Sequence, residues 1–326
     1  MLLVTGGAGF IGSNIVAALN EAGRADVIIS DILGHDGKWR NLAKRQLADI
    51  VPPSELLAWL AGRKCDAVIH MGAISETTAT DGDLVIETNF RFSMRLFDWC
   101  TEHAVPFIYA SSAATYGNGE QGFADDPSLG ALKALRPMNL YGWSKHLFDM
   151  AVMNRAALAE RLPPQWAGLK FFNVFGPNEY HKGTMASVLA RRFDDIRSGR
   201  TVELFKSHRD GIADGDQRRD FIYVDDVVRV VMWLLATPSV SGLFNVGTGK
   251  ARSFKDLMLS AYAALGAVPN IRYIDMPVSI RDSYQYFTQS EVARLTRAGY
   301  NGGFTALEEA VGLYVKGYLD CPDRYR

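Results

Sequence analysis

Apolar residues fall into two rhythms along this chain. Short unbroken runs occur at Leu2-Leu3-Val4, Val27-Ile28-Ile29, Ala67-Val68-Ile69 and Phe107-Ile108-Tyr109, and Leu169 to Phe172 is a further run interrupted by Lys170. Runs of that length read as strands buried on both faces. Between them, apolar positions at helical spacing predict helices from Ile11 to about Ala22, from Leu84 to about His103, and from Leu140 to Arg161. Gly23 suits the end of the first of these. Strand and helix alternate, so the expected fold class is α/β, a Rossmann-type doubly wound parallel sheet.

Beyond Phe172 the rhythm loosens. Glycine, proline and polar residues crowd GPNEYHKGT and SHRDGIADGDQRRD. Phe221 to Val224, with a helix from Asp225, and Leu243 to Val246 still read as sheet members. The expected organisation is a Rossmann domain over 1–172 that also receives roughly 220–248. A smaller, discontinuous α+β domain takes most of 173–326.

Bulk properties narrow the classes. The chain has 326 residues, 48% hydrophobic and 22% charged, which suits a globular protein of two fused lobes. Lys plus Arg is 35 and Asp plus Glu is 36, so no global basic field recruits nucleic acid or a membrane surface. The first apolar run breaks at Gly6, which leaves no room for a signal peptide, and no apolar run reaches the ~18 residues of a membrane span. Cys65, Cys100 and Cys321 are scattered and odd in number. That argues against a disulfide framework or zinc and for a reducing, cytoplasmic setting. No metal site is expected.

TGGAGFIGS, from Thr5 to Ser13, places Gly6, Gly9 and Gly12 between the first strand and first helix. Glycine there permits a tight turn and close approach to a pyrophosphate, which the helix N-terminus attracts. Asp31 ends the second strand at the position expected for a ribose-binding carboxylate. A carboxylate favours NAD over NADP. Lys38, with Arg40 and Arg45 nearby, is able to neutralise a 2′-phosphate, so the residues alone leave the two cofactors even.

Tyr141-Gly142-Trp143-Ser144-Lys145 is a YxxxK motif with both residues on one helix face. Free tyrosine has a pKa of about 10 and is a poor base at neutral pH. A neighbouring ammonium and a cationic nicotinamide favour the phenolate. By itself the motif recurs by chance as a core tyrosine beside a surface lysine. Its place after a dinucleotide fingerprint, with Ser111-Ser112 ending a strand upstream, makes Ser112, Tyr141 and Lys145 the expected catalytic group.

TGGAGFIG, YASSAATYG, YGWSK and RDFIYVDD together resemble the extended short-chain dehydrogenase/reductase superfamily, over Met1 to about Tyr318. FFNVFGPNEYHKGTMASV, SETTATDGD and YQYFTQ narrow the resemblance to the ADP-L-glycero-D-manno-heptose 6-epimerase family. The resemblance implies an isomerase that oxidises C6″ of ADP-D-glycero-β-D-manno-heptose to a 6″-ketone and returns the hydride to the opposite face. The product serves the inner core of lipopolysaccharide. The resemblance also implies NADP as cofactor, with NAD kept open, and a homo-oligomer, a pentamer. Two acid/base groups suit this chemistry, and the resemblance assigns Tyr141 as one and Lys182 as the second.

The same resemblance implies cofactor contacts from Gly6, Gly9, Phe10, Ile11 and Gly12, from Asp31, Ile32 and Lys38, and from Met71, Gly72, Ala73, Ile74 and Ser75. Thr88, Asn89, Tyr141, Lys145, Val174 and Lys182 complete that set. For the ADP-heptose substrate it implies Ser112, Asn173, Thr184, Arg191, Phe205, Lys206, Ser207, His208, Arg219 and Tyr284. Arg191 and Arg219 suit diphosphate clamps, because a guanidinium binds phosphate oxygens in pairs. The chain departs from the family pattern at Pro53, Glu76, Ala79 and Arg191, and the loop from Lys206 to Arg218 is long. Ala113 and Ala114 stand where a 4,6-dehydratase needs acids. A UDP-hexose 4-epimerase is the nearest rival, and a catalytically silent dinucleotide-binding protein is a rival of another class.

Overall fold

The computed structural model describes residues 1–281 and 284–326. Six strands follow one another through the first half: β1 (Leu2–Thr5), β2 (Val27–Ser30), β3 (Asp49–Val51), β4 (Ala67–His70), β5 (Phe107–Ser112) and β6 (Trp166–Phe171). The second half adds β7 (Asn173–Phe175), β8 (Val202–Phe205), β9 (Arg218–Tyr223), β10 (Gly242–Val246), β11 (Ala251–Ser253) and β12 (Ile271–Ile274). The longer helices are α1 (Phe10–Glu21), α2 (Phe92–Glu102), α3 (Leu140–Ala157), α4 (Val188–Arg197), α5 (Val224–Ala236), α6 (Phe254–Leu265) and α7 (Leu307–Tyr314).

One seven-stranded sheet runs in the order β10-β6-β5-β4-β1-β2-β3, with every pairing parallel. Strand order reverses between β1 and β4, and ligands bind at the carboxyl ends of strands beside such a switch. Successive residues alternate between the sheet's faces. Leu2 and Val4 therefore join a core with Ile15 and Leu19 of α1 and Val227 and Val231 of α5. Leu3 faces the other way, into a core with Phe97 of α2 and Phe148 and Val152 of α3. Burial on both faces is why these strands appear in the sequence as continuous apolar runs.

The expected helix from Leu84 is continuous from Gly82 to Glu102, but it loosens into a π turn over Glu87–Arg91. The strand foreseen at Phe221 exists as β9. It does not enter the large sheet; it pairs with β7 and β11 in a sheet of three. β10 does enter the large sheet, beside β6. A third core joins Phe193 of α4, Leu204 of β8, Leu257 of α6 and Val311 and Tyr314 of α7. Phe10, from the fingerprint turn, packs into that same core and so connects the two groups of elements. No helix among the described residues is long and apolar enough to cross a membrane.

Candidate active site

The fingerprint turn leaves its helix open. Gly9 precedes α1 with no side-chain cap, and no acid lies in the first turn. The first N–H groups of α1 are thus available to an anion. A Cβ on Gly12 would lie 2.1 Å from the Gly6 carbonyl oxygen, so only glycine lets the helix approach this closely. Asp31 accepts hydrogen bonds from the Ala8 N–H at 2.8 Å and the Ile32 N–H at 2.7 Å. The Lys38 ammonium donates to the same carboxylate at 2.8 Å. Ile32 beside it is 70% exposed, an apolar platform at the mouth of the turn.

The segment from Met71 to Ser75 follows β4 along this opening. The Gly72 N–H donates to Thr5 Oγ1. Asn89, inside the π turn, clasps Ile74 by accepting from its N–H at 2.8 Å and donating to its carbonyl at 2.9 Å. Its amide also donates to Ser144 Oγ at 3.0 Å, and Ser144 donates to the Tyr141 carbonyl. One side chain therefore joins the cofactor-side loop to the YxxxK helix. A π turn commonly marks such a site, since the extra residue redirects a side chain without ending the helix.

Two buried groups missed in the sequence support this arrangement. Thr5 Oγ1 and His70 Nδ1 are 2.6 Å apart, and His70 Nε2 lies 2.8 Å from Ser93 Oγ. Ser93 donates onward to the Asn89 carbonyl, so His70 gives its Nε2 proton to Ser93 and accepts from Thr5. Burial, and then the nearby Lys145 charge, depress the imidazole to about 3. The other group is Asp149, one helical turn beyond Lys145 on α3. It accepts from Ser111 Oγ at 2.7 Å, Tyr109 OH at 3.1 Å and Lys170 Nζ at 2.7 Å. Lys170 also donates to Thr115 Oγ1. A spacing of four after Lys145 was visible in the sequence, but Lys170 looked like one more residue of an apolar strand.

Asn139 caps α3 by accepting from the Gly142 N–H at 2.8 Å, which starts the helix one residue before Tyr141. A Cβ on Gly142 would stand 2.7 Å from the Ala114 carbonyl oxygen. Glycine thus lets α3 seat against the turn after β5, the turn that Ser112 caps. The seating brings Ser112 close to Tyr141 in the first turn of α3. Burial pushes the phenol above its ordinary value, the Ser112 contact pulls it down, and Asp149 adds to the rise. Lys145 is 3% exposed, and burial draws its ammonium down to about 8 against the attraction of Asp149. The expected lowering of Tyr141 comes from Ser112 and not from Lys145, and desolvation of the phenol is the larger influence.

Lys182 comes from the second half. It sits on a 3-10 segment, Tyr180–Met185, between β7 and α4. Its Nζ lies 5.7 Å above the Phe10 ring, so this segment reaches over the fingerprint turn. Asn41 donates to the carbonyls of Ala8 and Asn178 and touches His181 Nδ1 at 3.3 Å, tying segment to turn. Burial lowers the Lys182 ammonium, and Glu179 opposes that. Residues 324–326 cross the outer side. The Tyr180 hydroxyl donates to the Arg324 carbonyl at 2.7 Å, and Tyr325 packs edge-on at 5.3 Å. The Arg326 N–H donates to Asn178 Oδ1, and its guanidinium reaches Asp225 and Glu21.

Part of the expected substrate set converges. Arg219 is 6% exposed, and its guanidinium lies 5.1 Å from the Tyr284 ring and 5.5 Å from that of Phe254. Phe205 meets Tyr284 edge-on at 6.3 Å. Arg191, exposed on α4, faces the same tyrosine. Burial lowers the proton affinity of both guanidiniums. Asn173, at the start of β7, is exposed and accepts weakly from Thr288 at 3.4 Å, while Val174 is half-buried between the cores. Thr184 is exposed. The three residues after Phe205 are engaged by their own loop and by the segment after β12. Lys206 pairs with Asp275 at 3.3 Å, the Ser207 N–H donates to Asp214, and His208 Nε2 accepts from the Met276 N–H. A cleft of about 670 Å³ between α1 and α5, lined by Trp233, Tyr300 and Arg326, contains none of the expected site residues.

Residues 2–247 match the model of the NAD dependent epimerase/dehydratase family. An ADP-L-glycero-D-manno-heptose-6-epimerase of Fusobacterium nucleatum is 44% identical over the full length of both chains. The enzyme of that name from Nitratidesulfovibrio vulgaris is 46% identical over 99% of each. Among solved structures, the ADP-L-glycero-D-manno-heptose-6-epimerase of Helicobacter pylori superposes with a TM-score of 0.77 at 27% identity, covering 97% of this chain and 95% of that one. A UDP-N-acetylglucosamine 4-epimerase of Methanobrevibacter ruminantium, at TM-score 0.78 and 23% identity over 98% of each chain, shares the fold. A glycine turn with an open helix end, a seated Ser112–Tyr141 pair and full-length relatives of one name agree: the chain belongs to the NAD dependent epimerase/dehydratase family and, within it, to the ADP-L-glycero-D-manno-heptose-6-epimerases.

Proposed function

We propose that this protein inverts C6″ of ADP-D-glycero-β-D-manno-heptose, with Tyr141 and Lys182 as acid/base groups supplied by opposite lobes. The carrying observation is their placement. Tyr141 is fixed from the sheet side on α3, and Lys182 reaches over Phe10 from the second half. Inversion needs the proton handled on both faces of the carbon that becomes a ketone, and one group serves only one face.

The residues fit a nicotinamide dinucleotide: an uncapped helix end for phosphates, Asp31 with Lys38 for the ribose end, and Lys145 beside Tyr141. When bound, that group supplies reversible hydride acceptance. Ser112 hydrogen-bonds the reacting hydroxyl and holds it toward Tyr141. Tyr141 takes the hydroxyl proton, and Lys182 returns one once the other face of the ketone is presented. Lys145 positions the ribose. Arg219 and Arg191 hold the diphosphate, with Phe205 and Tyr284 as the apolar wall beside it. NADP is the preferred form in this reading, because Lys38 already neutralises the Asp31 charge that would repel a 2′-phosphate. The lobe assignments remain 1–172 with 220–248 for the cofactor and the rest of 173–326 for the substrate. We further propose a cytoplasmic homo-oligomer, a pentamer, on family likeness.

Incubation with ADP-D-glycero-β-D-manno-heptose is expected to yield an equilibrium mixture of C6″ epimers, and UDP-galactose none. Turnover of UDP-galactose alone would replace this reading with a hexose 4-epimerase. Inertness toward both, with cofactor bound, would leave a silent binding protein.

A further inference from the structure

Lys182 stands three residues after a buried carboxylate whose contacts are unusual. Glu179 is 1% exposed. Its Oε1 accepts from the Gly176 N–H at 3.3 Å and the Ser187 hydroxyl at 2.8 Å, and its Oε2 accepts from the Ser187 N–H at 2.6 Å. Gly176 follows β7 directly. Ser187 is the cap of α4, accepting from the Ala190 N–H. Both ends of the lysine-bearing segment therefore hang on one carboxylate. The Glu179 main chain takes part as well, since its carbonyl accepts from the Lys182 N–H at 3.0 Å.

We propose that Glu179 is a positioning residue for Lys182: its carboxylate ties the two ends of the 3-10 segment together and supplies the buried anion against which the ammonium is set. The inference rests on reading Lys182 as the second acid/base group.

Charge chemistry favours a function for this carboxylate beyond tying backbone. A buried anion is costly to desolvate. It is the form that accepts on both oxygens, as it does here. A neutral amide has one oxygen and one donor group, and it lacks the charge. Glu179 meets three donors, all offered to the ionised form, and these together with Lys182 oppose the rise that burial causes. For Lys182, burial favours the neutral amine and Glu179 favours the ammonium. A lysine that takes a proton in one direction and gives it in the other works best with the two forms balanced near the working pH.

The other groups facing this pair are known. Tyr180 and His181 lie on the same segment, Tyr314 approaches from α7, Arg191 from α4, and the Phe10 ring from α1. The tyrosines are held neutral by burial, His181 is pushed toward its neutral form, and Arg191 is exposed. Glu179 is accordingly the anion acting on Lys182.

The test compares E179Q, E179D and K182M with the unaltered holoenzyme, following ADP-D-glycero-β-D-manno-heptose epimerisation as a function of pH in both directions. E179Q keeps an oxygen for the staple and removes the charge, so the Lys182 proton is held less tightly. The limb of the rate profile due to Lys182 is then expected to move to lower pH by about one unit. It is the acidic limb when the lysine takes the proton and the alkaline limb when it gives it; the direction of the shift is the same. E179D keeps the charge and shortens the reach. It is expected to lower kcat about tenfold with KM little changed.

An E179Q profile superimposable on that of the unaltered enzyme would overturn the inference, as would an E179D enzyme of full kcat. If E179Q does not fold, the E179D measurement still decides. K182M separates the two levels: full activity in K182M sinks the assignment of Lys182 itself, whereas an inactive K182M beside an indifferent E179Q sinks only the role of Glu179.

Discussion

Tyr141 and Lys182 are held in opposite ways. Tyr141 sits in the first turn of an 18-residue helix whose far side packs Phe148 and Val152 into a sheet core. Lys182 sits on a six-residue 3-10 segment with no buried side chain of its own. Its support comes from near and far in sequence: Glu179 and Ser187 close by beneath, Asn41 on one side and residues 324–326 outside. A helix on a sheet gives a rigid mount at the expense of adjustability. A strapped segment is set by a few contacts outside the core, so a change at those contacts acts on Lys182 and leaves the core untouched.

Disturbing each mount in turn breaks the comparison at a different place. The largest effect belongs to Tyr141→Phe. Epimerisation is expected to fall by about 10³-fold, within the usual range for a lost acid/base group, while the protein still binds its dinucleotide. Retention of substantial turnover, measured by resolving the two epimers, would remove Tyr141 from the mechanism.

Ending the chain after Cys321 removes the strap but leaves every sheet and helix core intact. We expect a loss of roughly 10–100-fold in kcat, the scale of an ångström-level misplacement. The melting temperature should fall only modestly, because several of the lost ion pairs are solvent-exposed. Equal kcat in the shortened protein would show that the segment holds itself.

Lys38→Ala acts on the cofactor end alone. The affinity for NADP is expected to drop about tenfold, the order of one charge-assisted contact, with NAD unchanged or improved as Asp31 is freed from its ion pair. Titration of the apoprotein with each dinucleotide reads this directly. A parallel loss for both would mean that Lys38 serves only to order the loop.

The smallest effect concerns stability and the rigid side. His70 is buried neutral and held at about 3, against an ordinary value near 6.5. The unfolded chain therefore takes up the proton first as pH falls. The contribution is complete above about pH 6.5 and is lost as pH drops toward 3, by at most about 1.4 kcal/mol per unit. Denaturant unfolding between pH 7 and 5 should show this slope, and His70→Asn should flatten it. An unaltered slope in the variant would assign the proton uptake elsewhere.

Much of the rigid side was legible in the sequence. The fingerprint, the strand runs and YxxxK are local patterns, and the structure brings Ser112 close to Tyr141. Less legible were the groups that make the seating firm. Asn89 was expected only as a cofactor contact, yet it clasps Ile74 and reaches Ser144. Nothing in the periodicity of that helix announces a π turn, which depends on one extra residue being accommodated by its surroundings. Asp149 and Lys170 were absent from the expected set because a buried ion pair has no local signature; one lies on a helix and the other within a strand, 21 residues apart. On the strapped side, Phe205, Arg219 and Tyr284 gather as the family pattern implied. Lys206, Ser207 and His208 are held through Asp275, Asp214 and Met276, contacts that no pattern along the chain announces.

The sequence by itself determined the class of fold and the chemistry available. Both depend on spacing within a few turns or strands, where neighbours in sequence are neighbours in space. Only the tertiary structure decided how Lys182 is held. Asn41, Phe10 and Tyr325 meet around its segment after the chain has crossed between its two groups of elements, and Glu179, close in sequence, turns inward to tie that segment's ends. Their charges and hydrogen bonds act at a few ångströms, and no pattern along the chain records that they would come together.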